Sequence, residues 1–319
     1  MSIGAPDGRI WRGRAPAKVN LVLRVLARET SGYHQLETVF QALDLADEIE
    51  IEVPGAEPYP TDWVPEGPEV ELDLVGVPRS DLGPDRDNLA VRAAEAFLSA
   101  CGCQSGLARS RATSVRIRLR KRIPHGAGLG GGSSDAATVL IGMNALFDHP
   151  IPENELVQIG GRLGADVPFF LSGAPRALAW GRGDRVAPLR TLPVRPVLLA
   201  VPSIGIATSW AYGELARHRF TLAEPGPGAQ VSGVIAWRGW SEVAAAAHND
   251  FEAALFPMRE ELGRLRGILA DEGAAPALLS GSGATVFGVF DPERDLGRVE
   301  ASVRAAVPGV RVIRTHTAG

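Results

Sequence analysis

The run Pro124-His125-Gly126-Ala127-Gly128-Leu129-Gly130-Gly131-Gly132-Ser133-Ser134 carries the densest chemical signal in the chain. Five of its residues between Gly126 and Gly132 are glycine, so the backbone there can approach a ligand closely. Ser133, Ser134 and Asp135 follow as helix-capping residue types, and the amides of a first helical turn attract anions. The chemistry this predicts is polyphosphate binding. Phosphoryl transfer needs such a cradle, a cation on the transferring group and something to receive the acceptor's proton. Lys18, on the same strand face as Asn20, is the candidate cation. Asp166 is the candidate proton acceptor, a carboxylate within the otherwise apolar Ala165-Asp166-Val167-Pro168-Phe169-Phe170; burial raises such a pKa and a nearby cation lowers it. Each has a plainer alternative. Asp166 can be a cap or turn residue, and Ser133 or Ser134 can serve phosphate oxygens or a magnesium ion or simply cap the helix.

The elements around the loop fit this placement. Val115, Ile117, Leu119 and Ile123 alternate with Arg116, Arg118, Arg120 and Arg122, the period of a strand with one wet face. Downstream, Ala136, Val139, Leu140, Met143 and Phe147 recur at helical spacing. Other loop types fit less well. Gly126-x-Gly128-x-x-Gly131 matches the dinucleotide fingerprint, but the preceding strand is basic, and the candidate acid Asp148 is followed by His149-Pro150-Ile151-Pro152, which cannot be a second βαβ strand. Gly126-x-x-x-x-Gly131 begins like a P-loop, yet Gly132 stands where that motif needs its lysine. A glycine turn without a ligand would lose backbone entropy with no return.

Elsewhere the pattern predicts strands over 19–25, 49–53, 197–201, 285–290 and 310–315, and helices over 88–100, 153–163, 209–217 and 257–273. Gly164 is expected as a C′ glycine and Asp291-Pro292 as the start of a last helix, with loops at 54–68 and 225–233. Alternating strands and helices indicate an α+β chain of two halves joined near 183–196. With 319 residues and a formal charge of −4, the composition suits an enzyme better than a general nucleic-acid binder. The basic cluster 116–122 reads as a solvated strand face, since no aromatic residues interleave with it. Cys101 and Cys103 are too close for an ordinary disulfide and too few for a metal cage. With no signal-like or membrane-length apolar run, a cytoplasmic location is expected, with no membrane or nucleic-acid partner.

The 124–134 run resembles the phosphate-binding motif of the GHMP kinases, the galactokinase, homoserine, mevalonate and phosphomevalonate kinase superfamily. Ala15-Pro16-Ala17-Lys18-Val19-Asn20-Leu21, Gly32-Tyr33-His34 and Gly164-Ala165-Asp166-Val167-Pro168-Phe169-Phe170 resemble, within it, the branch that phosphorylates a CDP-linked methylerythritol in the non-mevalonate route to isoprenoid precursors. The similarity spans about residues 14–312. It implies an S5-like, ATP-binding half (1–185) and a ferredoxin-like, substrate-side half (186–319), with ATP and Mg2+ as cofactors and the magnesium ligands and oligomeric state left open. It further implies that Lys18 and Asp166 are catalytic and that residues 124–134 bind ATP. Tyr33 and Tyr212 would stack on the two faces of the cytosine, His34 would meet the base edge, and Asn20 and Thr208 would hold the methylerythritol end. Tyr212 stands where phenylalanine is expected. Gly281-Ser282-Gly283 would face the nucleotide, and Asn249-Asp250 matches a family motif for which the sequence suggests no physical role. The alternatives are a homoserine- or mevalonate-type kinase, a dinucleotide-binding oxidoreductase and an RNA-binding module on an S5-like core.

Overall fold

Side-chain period decides the strand that leads into the glycine loop: Val115, Ile117 and Leu119 are buried, while Arg116, Arg118 and Arg120 point to solvent. The computed structural model describes residues 9–28, 34–53, 70–78, 82–105, 114–221 and 231–319. Tyr33, the loop 54–68 and most of 225–233 lie outside the described residues. In chain order the elements are β1 (Arg9–Arg28), β2 (His34–Val53), β3 (Val70–Val75), α1 (Leu89–Ser105), β4 (Val115–Arg120), α2 (Gly131–Leu146), α3 (Glu153–Leu163), α4 (Val167–Leu171), β5 (Arg176–Gly181) and β6 (Arg185–Pro188). They continue with β7 (Pro196–Val201), α5 (Thr208–Thr221), α6 (Trp240–Ala246), β8 (His248–Asn249), α7 (Asp250–Leu255), α8 (Glu260–Asp271), β9 (Ala277–Leu279), β10 (Val286–Val289), α9 (Leu296–Ala306) and β11 (Arg311–His316). The chain is α+β, as expected.

Compactness divides it discontinuously. One unit comprises 1–16, 46–125 and 131–171; the other comprises 17–45, 126–130 and 172–319, so that β1 and β2 each run through both. A linear cut at 185/186 does not express this division.

In the first unit β4 pairs parallel with β3 and antiparallel with the C-terminal part of β2. The outward arginines of β4 meet carboxylates across the ladder: Arg116 with Glu71 at 3.0 Å and Arg118 with Asp73 at 2.9 Å. The arginines of the basic cluster are therefore held in exposed cross-strand ion pairs, whereas Lys121, in the same run, is buried, so the reading of 116–122 as a solvated face holds for the arginines alone. Helices α1, α3 and α4 pack on α2, whose residues Ser134–Leu140 are all buried. A Cβ on Gly142 would run into Trp11 and lie 2.7 Å from Ile51 Cδ1, so glycine lets α2 cross close to those side chains. After α2, Asp148 takes a left-handed conformation (φ 62°) and pairs with Arg9 at 2.9 Å, a surface turn unlike a ribose-binding acid on a second strand.

In the second unit the N-terminal part of β2 pairs with β5, β5 pairs with β6, and β1 pairs parallel with the two-residue β8. A separate antiparallel sheet has the order β11-β7-β10-β9. Its core joins Leu198, Leu279 and Val286 to Leu262, Leu265 and Leu269 of α8 and Val299 and Val303 of α9. Residues 17–23 of β1 are buried on both faces, so the expected in-out alternation there is absent.

Three local expectations differ. Gly164 caps α3 in an extended conformation (φ −177°), so it supplies no left-handed cap. The last helix begins at Leu296 and not at Asp291-Pro292, because Asp295 is the cap, its carboxylate accepting from Gly297 N at 2.8 Å. Ser133, Ser134 and Asp135 lie inside the first turns of α2, which begins at Gly131.

Candidate active site

Residues 126–130 alternate strictly in role. Gly126, Gly128 and Gly130 have φ of 64°, 79° and 71°, while the intervening Ala127 and Leu129 bury their side chains. Three consecutive carbonyls of this segment are anchored within its unit: Ala127 O accepts from Thr285 N at 3.2 Å, Gly128 O from Ser280 Oγ at 2.9 Å and Leu129 O from Lys18 N at 2.9 Å. In a trans peptide the following N–H points opposite the carbonyl, so the amides of Gly128, Leu129 and Gly130 are aimed away from these anchors. Successive amides turned outward from a glycine-rich turn form an anion-binding concavity. A Cβ on Gly128 would collide with Ser280 O and lie 2.9 Å from Gly283 O, which leaves room only for glycine.

Lys18 is 4% exposed, and its Nζ donates to Asn20 Oδ1 at 2.8 Å. The Asn20 amide donates onward to Thr38 Oγ1 at 2.7 Å, and Thr38 donates to Val22 O at 2.7 Å. Lys18 and Asn20 thus share a face of β1 as the sequence predicts, and the chain fixes the ammonium in one place. The geometry makes Asn20 an orienting partner of Lys18. Lys18 Nζ also sits 5.3 Å over the Phe40 ring. Asp166 is half-buried in the connection between α3 and α4, where Val167 N donates to Gly164 O at 3.1 Å.

Thr208 opens α5, its hydroxyl 3.2 Å from Ser282 Oγ in the turn between β9 and β10. The ring of His34 lies on the face of Tyr212 with centroids 4.3 Å apart and planes 18° from parallel, and Tyr212 meets Phe251 edge-on at 5.0 Å. His34 therefore covers a face of Tyr212, the residue that the family resemblance sets beside it around the cytosine. No gap for a base separates these two rings.

Sequence reasoning missed a buried charge cluster in the first unit. Lys121 Nζ contacts Asp47 Oδ2 at 2.5 Å and Asp135 Oδ2 at 2.7 Å, and Asp47 Oδ1 accepts from Arg122 N and Ile123 N. The signal was present in the strand period. With Val115, Ile117 and Leu119 inward, position 121 is also inward, so the apparent run of basic residues contains one that must be buried and paired. Burial pushes the Asp135 carboxyl up to about 7, with Lys121 pulling it down and Asp47 adding to the rise. Asp135 is then protonated in the folded chain but ionised in the unfolded chain between about pH 4 and 7, so its contribution to stability falls as pH rises through that window. Asp135→Asn cannot ionise. Its stability relative to the wild type, from urea denaturation, is expected to be more favourable at pH 8 than at pH 5; a pH-independent difference would contradict the assignment.

The family model for the GHMP kinase N-terminal domain matches residues 88–174, and that for the GHMP kinase C-terminal domain matches 234–309. A protein of Geobacter sp. (strain M21) called 4-diphosphocytidyl-2-C-methyl-D-erythritol kinase is 43% identical over 88% of this chain and 89% of its own length. One with the same name from Citrifermentans bemidjiense is 40% identical over 92% and 94%. A crystal structure of 4-(cytidine 5'-diphospho)-2C-methyl-D-erythritol kinase is 34% identical and superposes with a TM-score of 0.70, covering 97% of this chain and all of that one. A glycine loop with anchored carbonyls, matches to both family domains and full-length relatives of this similarity lead to one conclusion: the chain belongs to the GHMP kinase family.

Proposed function

We propose that this chain is an ATP-dependent kinase that phosphorylates the 2-hydroxyl of 4-diphosphocytidyl-2-C-methyl-D-erythritol, with Mg2+ carried on the ATP. The observation that supports the nucleotide half of this reading is the anchoring of the Ala127, Gly128 and Leu129 carbonyls, which aims the following amides away from the anchors, as a phosphate cradle requires. The acceptor half rests on relatives that bear that activity in their names and match the chain over nearly its whole length.

Among the described residues no three His, Cys, Asp or Glu side chains cluster around a metal position. That suits an ion held mainly by phosphate and water, which needs only one or two protein oxygens. Ser133 and Ser134, in the first turn of α2, would supply them; the Ser134 hydroxyl is buried and has no partner among the described residues. Ser133 and Ser134 would hold the ion there, and the chemistry it would supply is neutralisation of phosphate charge. Lys18, held by Asn20, supplies positive charge to the transferring phosphoryl group, and Asp166 receives or orients the proton of the attacking 2-hydroxyl. Thr208 and Asn20 hold the methylerythritol end. The cytosine stacks against the wall formed by Tyr212 and His34, with Tyr33 opposite.

Removing the Tyr212 ring is expected to cost about 1–3 kcal/mol of acceptor affinity, the usual worth of a base–aromatic stack. Tyr212→Ala should therefore raise the KM for the CDP-alcohol and leave that for ATP unchanged, and Tyr212→Phe should behave as wild type. An unchanged acceptor KM in Tyr212→Ala would remove this wall. The reading as a whole is tested by ADP release from ATP with the CDP-alcohol, homoserine, mevalonate or no acceptor, beside a nicotinamide dinucleotide titration. The CDP-alcohol should give the highest kcat/KM and the dinucleotide should not bind; a preference for a small alcohol would overturn the substrate assignment.

A further inference from the structure

Asn249 has a larger task than its position at the end of β8 suggests. It is buried and caps α7, its Oδ1 accepting from Phe251 N at 3.0 Å. Its Nδ2 donates both protons, to Leu279 O and to Gly281 O, each at 2.8 Å. A cap alone is served equally well by Asp or Ser. Only an amide can accept from the helix and also hold two carbonyls.

Those carbonyls bracket Ser280, in the turn that joins β9 to β10. The turn is closed by Ser280 N to Thr285 O at 2.8 Å and Gly283 N to Ser280 O at 3.0 Å. It presses on the glycine loop, with Ser280 Oγ donating to Gly128 O and Thr285 N to Ala127 O. A Cβ on Gly281 would lie 3.3 Å from Gly128 O and 3.6 Å from Lys18 Nζ, so the peptide that Asn249 grips is next to both the loop and the lysine. Asp250 fixes the same corner to β1, its Oδ2 accepting from Val25 N at 2.7 Å.

We infer that Asn249 is a positioning residue for ATP: through Gly281 and Ser280 it sets the turn that holds the Ala127 and Gly128 carbonyls inward and their following amides outward. The inference rests on the reading of 126–130 as the phosphate cradle. It gives the Asn249-Asp250 pair the physical role that the sequence alone did not suggest.

The variants separate this role from capping. Asn249→Asp keeps a cap acceptor, removes both donors and sets a carboxylate against two carbonyl oxygens, while Asn249→Ser keeps the cap acceptor and has one hydroxyl proton, on a shorter side chain, in place of two. Ser280→Ala removes the next link. The probe is a non-hydrolysable ATP analogue, titrated calorimetrically beside thermal unfolding. Asn249→Ser is expected to stay folded at the assay temperature, with a lowered unfolding temperature from the carbonyl left unpaired, and to weaken analogue binding by about ten- to a hundredfold, the scale on which displaced positioning groups act. Ser280→Ala should weaken it as well, and the double variant should fall well short of the product of the two losses. Wild-type analogue affinity in a folded Asn249→Ser would overturn the inference; should both substitutions at 249 prevent folding, wild-type affinity in Ser280→Ala would do so. Failure of the folded wild type to bind the analogue would instead overturn the cradle itself.

Discussion

Asp166→Asn is expected to lower turnover by roughly a hundredfold to ten-thousandfold while the dissociation constants of ATP and of the CDP-alcohol barely change. The substitution keeps the shape of the side chain and removes its negative charge together with its capacity to take a proton. Asp166 is half-buried between α3 and α4, so an amide fits there without leaving a cavity. Lys18→Met removes the positive charge that the proposed mechanism sets beside the transferring phosphoryl group, and should also reduce turnover. It additionally empties the contact to Asn20 Oδ1 that now orients the ammonium. If both residues serve one transition state, the double variant is much less impaired than the product of the single effects. Single-turnover phosphoryl transfer in the four proteins decides the matter, and full multiplicative loss would assign the two residues to independent steps.

Gly128→Ala is expected to weaken ATP binding by about a hundredfold, through displacement of the loop by a fraction of an ångström to an ångström. The added methyl meets Ser280 O and Gly283 O at a residue whose φ is 79°, so neither neighbour nor backbone can accommodate it in place. Loop carbonyls forced off their anchors carry the adjacent amides with them. Gly131 is a poorer probe of the cradle, because a Cβ there would lie 3.1 Å from Ile123 Cγ2 and 3.3 Å from Lys121 Nζ, and the damage would reach the buried charge cluster. The CDP-alcohol affinity of Gly128→Ala should stay close to wild type; equal loss of both ligands would mean general disruption, and unchanged ATP affinity would remove 126–130 from the site.

What the sequence made legible was local. The alternation of β4, the helical spacing of α2, the helix 153–163 and the glycine turn that links β4 to α2 each depend on residues a few positions apart. The partners that give these elements their function are distant. The loop carbonyls are held by Lys18, Ser280 and Thr285, and Lys121 is paired with Asp47 and Asp135, contacts that no short-range pattern specifies. Strand parity did place Lys121 inward, but it could not say which carboxylates would meet it. β8 is two residues long, too short for any periodicity, and so the role of Asn249 emerged only from the turn it grips. At the helix ends, two acceptable caps competed, and Asp295 rather than Asp291 found the free amide.

Transfer of phosphate to one hydroxyl of an intact CDP-alcohol is the central claim, and phosphorus NMR of the product tests it most directly. Incubation of the protein with ATP, Mg2+ and 4-diphosphocytidyl-2-C-methyl-D-erythritol should yield ADP and one new phosphomonoester resonance, with the diphosphate bridge retained and the monoester unsplit by protons, because the methyl-bearing carbon that carries a 2-phosphate has no hydrogen of its own. A monoester split by neighbouring protons, loss of the diphosphate bridge, or inorganic phosphate as the sole new product would contradict it.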